Sequence, residues 1–402
     1  MLLHFIIAIS LGVFFGIGTG LTPGVHINLV SLVLLSLSVF FLQYTSPVVL
    51  CVFIIAMAIT HTFLDSIPGI YLGAPNEAQA LIILPGHRML LEGQGHNAVK
   101  LMTIGSFFAL LFGLLFVPLF IFLISRIYDL FRAWTGWALI LIITYMVLKE
   151  HNWEKRLNSL LVFLMAGCLG LITLNLPMEQ PLLPLLSGLF GFSLLLISLL
   201  DQNKIPEQKT DQQLDIDRAT FFKSTLAATF VGFIAAFLPG FGSSQAAIVA
   251  MQFLRKMNEY GFLILVGGIN TANMMLSIIT SYVIDKARNG AIVAIKSIIG
   301  IVTFEIMILF LLTALLCAGS GVVLALRISR IFAKYIVKVN YAAIVISIMA
   351  FVFILSVYFD GFLGFMVLFT STSIGLFTSG LGVGKNHLMG CLILPVILFF
   401  VL

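Results

Sequence analysis

Charge is what this sequence lacks most. Asp, Glu, Lys and Arg make up 9% of its 402 residues, where a soluble domain carries roughly 25%. That scarcity excludes a water-exposed surface of ordinary composition. Cysteine is scarce too. Cys51, Cys168, Cys317 and Cys391 stand far apart in apolar surroundings. Neither a disulfide scaffold nor a zinc cage fits that spacing, so each reads as a small core residue. Histidine clusters, helical zincin motifs and Walker-type phosphate loops are missing. No metal, no cofactor, no ATP-driven step and no enzymatic function are therefore expected of this chain. The net charge of +5 lies in short clusters between apolar runs, which points away from nucleic acid. The start, Met1-Leu2-Leu3-His4, has no basic flank, so the first apolar run is read as structure and not as a removed signal.

What the sequence has is hydrophobicity, at 61%. Apolar runs of about 17–25 residues recur from end to end, each long enough for a bilayer core of roughly 30 Å. They lack the alternating polarity of a membrane barrel. The expected fold is an all-α polytopic protein, multi-pass in the cell membrane. Its segments are read at 2–20, 25–43, 47–62, 101–124, 133–148, 157–176, 182–200, 221–238, 245–254, 262–284, 291–317, 341–358, 362–377 and 388–402. A polar loop is read at 74–100 and a basic amphipathic piece at 327–338.

Two breaks organise these segments. The first is Gly16-Ile17-Gly18-Thr19-Gly20-Leu21-Thr22-Pro23-Gly24-Val25-His26-Ile27-Asn28. The second runs from Gly232 through Leu238-Pro239-Gly240-Phe241-Gly242-Ser243-Ser244-Gln245. Gly16 and Gly232, Pro23 and Pro239, and Gly24 and Gly240 share one offset of 216 residues. Matched Pro-Gly interruptions in two halves point to a transporter binding site. The halves are placed at 1–200 and 219–402, with 201–218 as a polar linker. Re-entrant or broken helices are expected at the Pro-Gly tips.

Basic residues orient the chain. Lys149, Lys155 and Arg156 precede the 157–176 and 182–200 pair; Lys204, Lys209, Arg218 and Lys223 follow it. The turn 177–181 has none, so both basic flanks belong in the cytoplasm. Stretch 219–254 then reads as a hairpin with its tip at Pro239-Gly240.

Proline suits the first helical turn, and a helix N-terminus presents free N–H groups and about half a positive charge to an anion. Candidate substrate contacts are Thr22, Pro23, Gly24, His26 and Asn28 at one tip, and Pro239, Gly240, Gly242, Ser243 and Ser244 at the other. A second pair of polar stretches sets Thr60, Thr62, Asp65 and Ser66 beside Asn270, Thr271, Asn273 and Ser277 at an offset of 210–211. Of these, Thr60, Thr62, Asn270, Thr271 and Asn273 are candidate substrate contacts. The amides inside 267–273 suggest unwound backbone. Ionisable residues within membrane segments are functional candidates, which selects His61, Asp65 and Glu305 for ion coupling. A hydrogen-bonded interior imidazole or carboxyl is the alternative reading of His26, His61 and Glu305. Asp360, beside Gly361, reads as an interface residue.

The Leu21-Thr22-Pro23-Gly24 break, Pro68-Gly69, the 85–95 stretch, Leu238-Pro239-Gly240 and the run Gly384-Lys385-Asn386-His387-Leu388-Met389-Gly390 before Leu394-Pro395 resemble the large membrane subunit of tripartite tricarboxylate transporters. Pro23-Gly24-Val25-His26-Ile27-Asn28 is similar to its shorter archaeal branch. The family's second-half Pro-Glu-x-x-x-Asn run is replaced here by Gly267 to Asn273. The resemblance implies a secondary transporter, or permease, of organic anions such as carboxylates, by symport with H⁺ or Na⁺. It also implies a small membrane subunit and a solute-binding protein as partners. Two other readings stand beside it. Paired tips serve a polyprenyl-phosphate translocase equally well, and Gly16-x-Gly18-x-Gly20 fits the packing face of a non-transporting scaffold subunit.

Overall fold

The computed structural model describes residues 2–22, 27–73, 83–200, 205–211, 214–237, 242–254, 257–287, 289–337 and 341–401. At 28, 29, 32, 36, 129–133, 198, 253, 341 and 344 only the backbone is described. Among these residues there are helices and no strand. The chain opens with α1 (Leu2–Leu21), α2 (Ile27–Ser36) and a short α3 (Ser38–Phe41). Then come α4 (Pro47–Leu64), α5 (Ser66–Leu72), α6 (Ile83–Leu91), α7 (Gly95–Leu115), α8 (Val117–Leu148) and α9 (Trp153–Asn175). α10 (Leu182–Leu186), a π-turn (Ser187–Phe192) and α11 (Ser193–Leu200) run on from one another. Past the linker stand α12 (Arg218–Phe237), α13 (Ser243–Phe253), α14 (Glu259–Ile284), α15 (Gly290–Ile299), α16 (Phe304–Ile336) and α17 (Tyr341–Gly380). A 3₁₀ turn (Lys385–Met389) leads into α18 (Gly390–Val401).

Among the described residues, eight helices are long and apolar enough to cross a bilayer, α1 and α12 included. Phe14, Leu141, Leu316 and Phe369 point outward with no protein over them, as a lipid-facing surface requires. The helices start where local chemistry starts them. Ser46 accepts from Val49 N ahead of Pro47, and Asn258 accepts from Gly261 N ahead of Glu259. Each satisfies an N–H that the helix itself leaves unpaired.

α14 is the centre, packed by α7, α12 and α4. α1 lies against α4 through three small residues one turn apart. A Cβ on Gly12 would stand 2.6 Å from Ala56 Cβ, on Gly16 2.6 Å from Thr60 Cβ, and on Gly20 2.9 Å from Leu64 Cβ. Gly232 packs the same way on α14, 2.7 Å from Ala272 Cβ. These glycines bring helix to helix.

Several expectations are corrected. The 267–273 stretch is not unwound: α14 is continuous through it. Gly267 and Gly268 face the backbone of α7, and the amides find side-chain partners, so the helix has no reason to open. The 83–91 and 95–100 parts of the expected loop are helical, in α6 and α7. Stretch 291–317 is two helices parted at Gly300, whose φ of +73° favours glycine. The basic piece at 327–338 falls, up to Ile336, in the end of α16. The 201–218 linker was expected to bury little. Its Ile205 is buried, Lys209 N donates to Gly93 O at 2.8 Å, and Gly95 N donates to Gln208 Oε1 at 2.9 Å. Asp360 Oδ1 accepts from Glu179 N at 2.6 Å and Gln180 N at 3.1 Å, closing the turn after α9.

Candidate functional site

The end of α4 and the middle of α14 meet through polar side chains in an apolar bundle. Asn270 Nδ2 donates to Asp65 Oδ2 at 3.0 Å. Thr271 Oγ1 donates to Thr62 Oγ1 at 3.1 Å, and Thr62 passes its own proton to Ile59 O at 2.8 Å. All four side chains are buried. His61 lies one turn before Asp65, with Nε2 3.9 Å from Oδ2. Its Nδ1 is 3.2 Å from Thr19 Oγ1 on α1. That hydroxyl donates to Gly16 O at 3.3 Å, so it accepts from the imidazole. On the other side, Asn273 Nδ2 donates to Ser243 Oγ at 3.3 Å, which ties the first turn of α13 to α14.

The helices make this arrangement by their spacing. α4 gives way to α5 at Asp65, whose backbone stays helical. His61, Asp65 and Thr62 therefore share the turn that faces α14 and α1. On α14, Asn270, Thr271 and Asn273 occupy one turn. Thr60 Oγ1, Ser66 Oγ and Gln245 Oε1 are buried without a hydrogen-bond partner among the described residues. Buried polar atoms rarely stay unpaired in the absence of water or ligand. The set offers one carboxylate, one imidazole, hydroxyls and amides: oxygens for a small cation, donors for an anion.

Residues 6–390 match the family described as the tripartite tricarboxylate transporter TctA family. The chain belongs to that family. A relative from Methanocaldococcus jannaschii, described as uncharacterized, is 28% identical over 406 residues, 97% of each chain. No solved structure matches. TctA-family membership makes the chain the membrane component of a tricarboxylate transport system and not a member of an enzyme family, which agrees with the eight helices among the described residues that are long and apolar enough to cross a bilayer.

Of the other sequence candidates in this TctA-family chain, Pro23, Gly24, His26, Pro239 and Gly240 lie outside the described residues, as does the side chain of Asn28. Thr22 turns its hydroxyl back to Gly18 O at 2.7 Å. Gly242 is the extended residue that starts α13, with buried Ser243 and Ser244 behind it. Glu305 is a correction. It was expected inside a spanning segment, but it is exposed in the first turn of α16, after the break at Gly300 and the Thr303 cap. A carboxylate there suits the helix dipole, and no hydrogen bond joins it to the central set.

Thr19 was missed, although it sits in the Gly16–Gly20 run that the sequence singled out. His87 on α6 was missed as well. It is buried, with Nδ1 3.1 Å from Ile70 O. Burial pushes its pKa below the ordinary 6.5, and the bond to Ile70 offsets that in part. The unfolded chain then takes the proton first. Stability is full above about pH 6.5 and falls as pH drops below it. The unfolding temperature in detergent is expected to fall by a few degrees from pH 7.5 to 5.5, and His87→Gln to flatten that slope. An equal slope in both proteins counts against the burial argument.

Proposed function

We propose that this TctA-family protein is a secondary transporter of organic anions, carboxylates foremost, driven by H⁺ or Na⁺. The observation that carries the reading is the buried Asp65–Asn270 hydrogen bond, which joins a carboxylate on α4 to the centre of α14. An ionisable side chain at such a place is costly in a membrane protein and marks an ion or substrate path. Asp65 with His61 is assigned to ion coupling. Thr60, Thr62, Asn270, Thr271, Asn273, Ser243 and Ser244 are assigned to the substrate, with the Pro23-Gly24 and Pro239-Gly240 tips.

Two related halves support this reading. α12 (Arg218–Phe237) follows α1 (Leu2–Leu21) at an offset of 216 residues, and α13 starts at the same offset from α2. In each half the first helix packs on the third long one, α1 on α4 and α12 on α14. A small membrane subunit and a solute-binding protein are the expected partners of a tripartite system. A lipid-phosphate substrate is the alternative, served by the same tips.

Backbone donors at the tips, and no cationic side chain, are assigned to the anion. Met1 to His87 and Ser224 to Leu254 contain no Lys or Arg. A helix terminus contributes about 0.3–1 kcal/mol to an exposed anion and up to about 2 kcal/mol to a partly buried one. Gly24→Val and Gly240→Val are expected to insert normally yet lose the thermal stabilisation that citrate and succinate give the parent. Retention of the full response in both variants places the anion elsewhere. Proteoliposome uptake against a panel of carboxylates and prenyl phosphates tests the substrate class. Accumulation of the prenyl phosphates alone overturns it.

A further inference from the structure

The C-terminal run Gly384 to Gly390 is not used by the central set, yet it holds a buried cation. Lys385 is only 8% exposed, and its Nζ donates to Ser193 Oγ of α11 at 3.0 Å. Ser193 gives its own proton to Leu189 O at 2.8 Å, so it is an acceptor here and supplies no charge. Among the described residues no carboxylate pairs with Lys385. The two carboxylates nearby are engaged elsewhere: Glu150 with His387 at 3.2 Å, and Glu259 with Arg88 at 2.7 Å. A buried ammonium without a counter-charge is costly.

Lys385 is also part of the wall of a cavity of about 560 Å³. Lys149, Glu150, Gln252, Asn258 and Asn386 share the wall. Lys149 forms no ion pair among the described residues and is exposed. The cavity lies at the end of α8 and the start of α14, the side that the basic flanks assign to the cytoplasm. α13 connects it to the centre. Ser243 at the start of that helix touches Asn273, and Gln252 near its end lines the cavity. At 1.5 Å per residue those two points are roughly 14 Å apart.

We infer that this cavity is a cytoplasmic anion vestibule, in which Lys385, helped by Lys149, Gln252 and Asn258, binds one carboxylate group of a small organic anion. The inference rests on the carboxylate-transport reading above and gives that reading a second station along α13. The amides of Gln252 and Asn258 orient the carboxylate, Glu150 and Glu259 on the same wall are held by His387 and Arg88, and Lys385 supplies the charge that the tips lack. Burial pushes the Lys385 ammonium down to about 8, so part of it is neutral near pH 7.5 and a bound anion shifts it back to the charged form.

The test is reductive methylation of the full chain at pH 7.5, read residue by residue by mass spectrometry, with citrate, with succinate, and with chloride at matched ionic strength. Either carboxylate should slow methylation of Lys385 at least fivefold and leave Lys155 and Lys223 unchanged. Equal rates in citrate and chloride overturn the vestibule, as does a Lys385 that takes no methyl group under any condition. Lys385→Gln should weaken the citrate concentration needed for thermal stabilisation at least tenfold, and Lys385→Arg should restore most of it. A parental response in Lys385→Gln together with loss in Gly24→Val and Gly240→Val removes the vestibule and leaves the transport reading standing. Protection of Lys385 in a protein that transports no carboxylate does the reverse.

Discussion

Asn270→Leu is expected to reduce carboxylate uptake by about 10- to 100-fold while the protein stays folded in the membrane. Leucine keeps the number and branching of the heavy atoms, so the change is confined to the immediate neighbours of the side chain. What disappears is the Nδ2 donor 3.0 Å from Asp65 Oδ2. Leaving a buried acceptor short of a partner costs about 1–3 kcal/mol, and more for a charged group; each 1.4 kcal/mol is a factor of ten. Asp65→Asn separates the roles further. It keeps the shape and removes the charge, so exchange of labelled for unlabelled substrate should persist while gradient-driven accumulation is lost. Thr271→Val breaks the 3.1 Å bond to Thr62, a neutral pair whose net value is about 0.5–1.5 kcal/mol, and should cost tenfold or less. If Asp65→Asn still accumulates substrate against its gradient, the carboxylate does not couple ion to substrate.

The largest effect on assembly is expected at Gly105 and Gly170. A Cβ on Gly105 would overlap Ile264 O of α14, and one on Gly170 would overlap Cys391 O of α18. Both obstacles are backbone, which cannot rotate away as a side chain does. Overpacking typically costs about 1–3 kcal/mol and occasionally more, and backbone against backbone belongs at the upper end. Gly105→Ala and Gly170→Ala should therefore lower the unfolding temperature sharply, followed by size-exclusion chromatography after heating. Gly18→Ala is the matched control, because nothing lies within 4 Å of its added Cβ. A parental midpoint for Gly105→Ala contradicts so close an approach of α7 to α14.

Composition and run length were enough to read an all-helical membrane chain, because few residue types tolerate lipid. Thr60–Ser66 and Asn270–Ser277 were paired by their offset, and two contacts join them, Asp65 with Asn270 and Thr62 with Thr271. Where the reading failed, the missing information was long-range. Asn270 and Asn273 resemble a helix break until their partners, Asp65 and Ser243, are known. Glu305 looked interior because Gly300 gave no sign that the helix restarts at Phe304. Lys385 stood in the sequence only as a member of the Gly384 to Gly390 run, and nothing local shows that the 3₁₀ turn carries it under Ser193. The linker looked idle because its contact, Gly93 to Gly95, is more than a hundred residues away.

The unbroken course of α14 has a mechanical consequence. Its Gly267 lies against Met102 of α7, and Gly105 of α7 lies against Ile264 of α14, with no side chain between the two backbones. A joint of that kind cannot slide by small rotamer changes, so α7 and α14 turn together or not at all. They form the stator of the molecule, and Asn270 and Asn273 are fixed to it. On the transport reading, opening the polar centre to one side or the other falls to elements outside this block, while α12 is held to α14 by the like contact of Gly232 with Ala272.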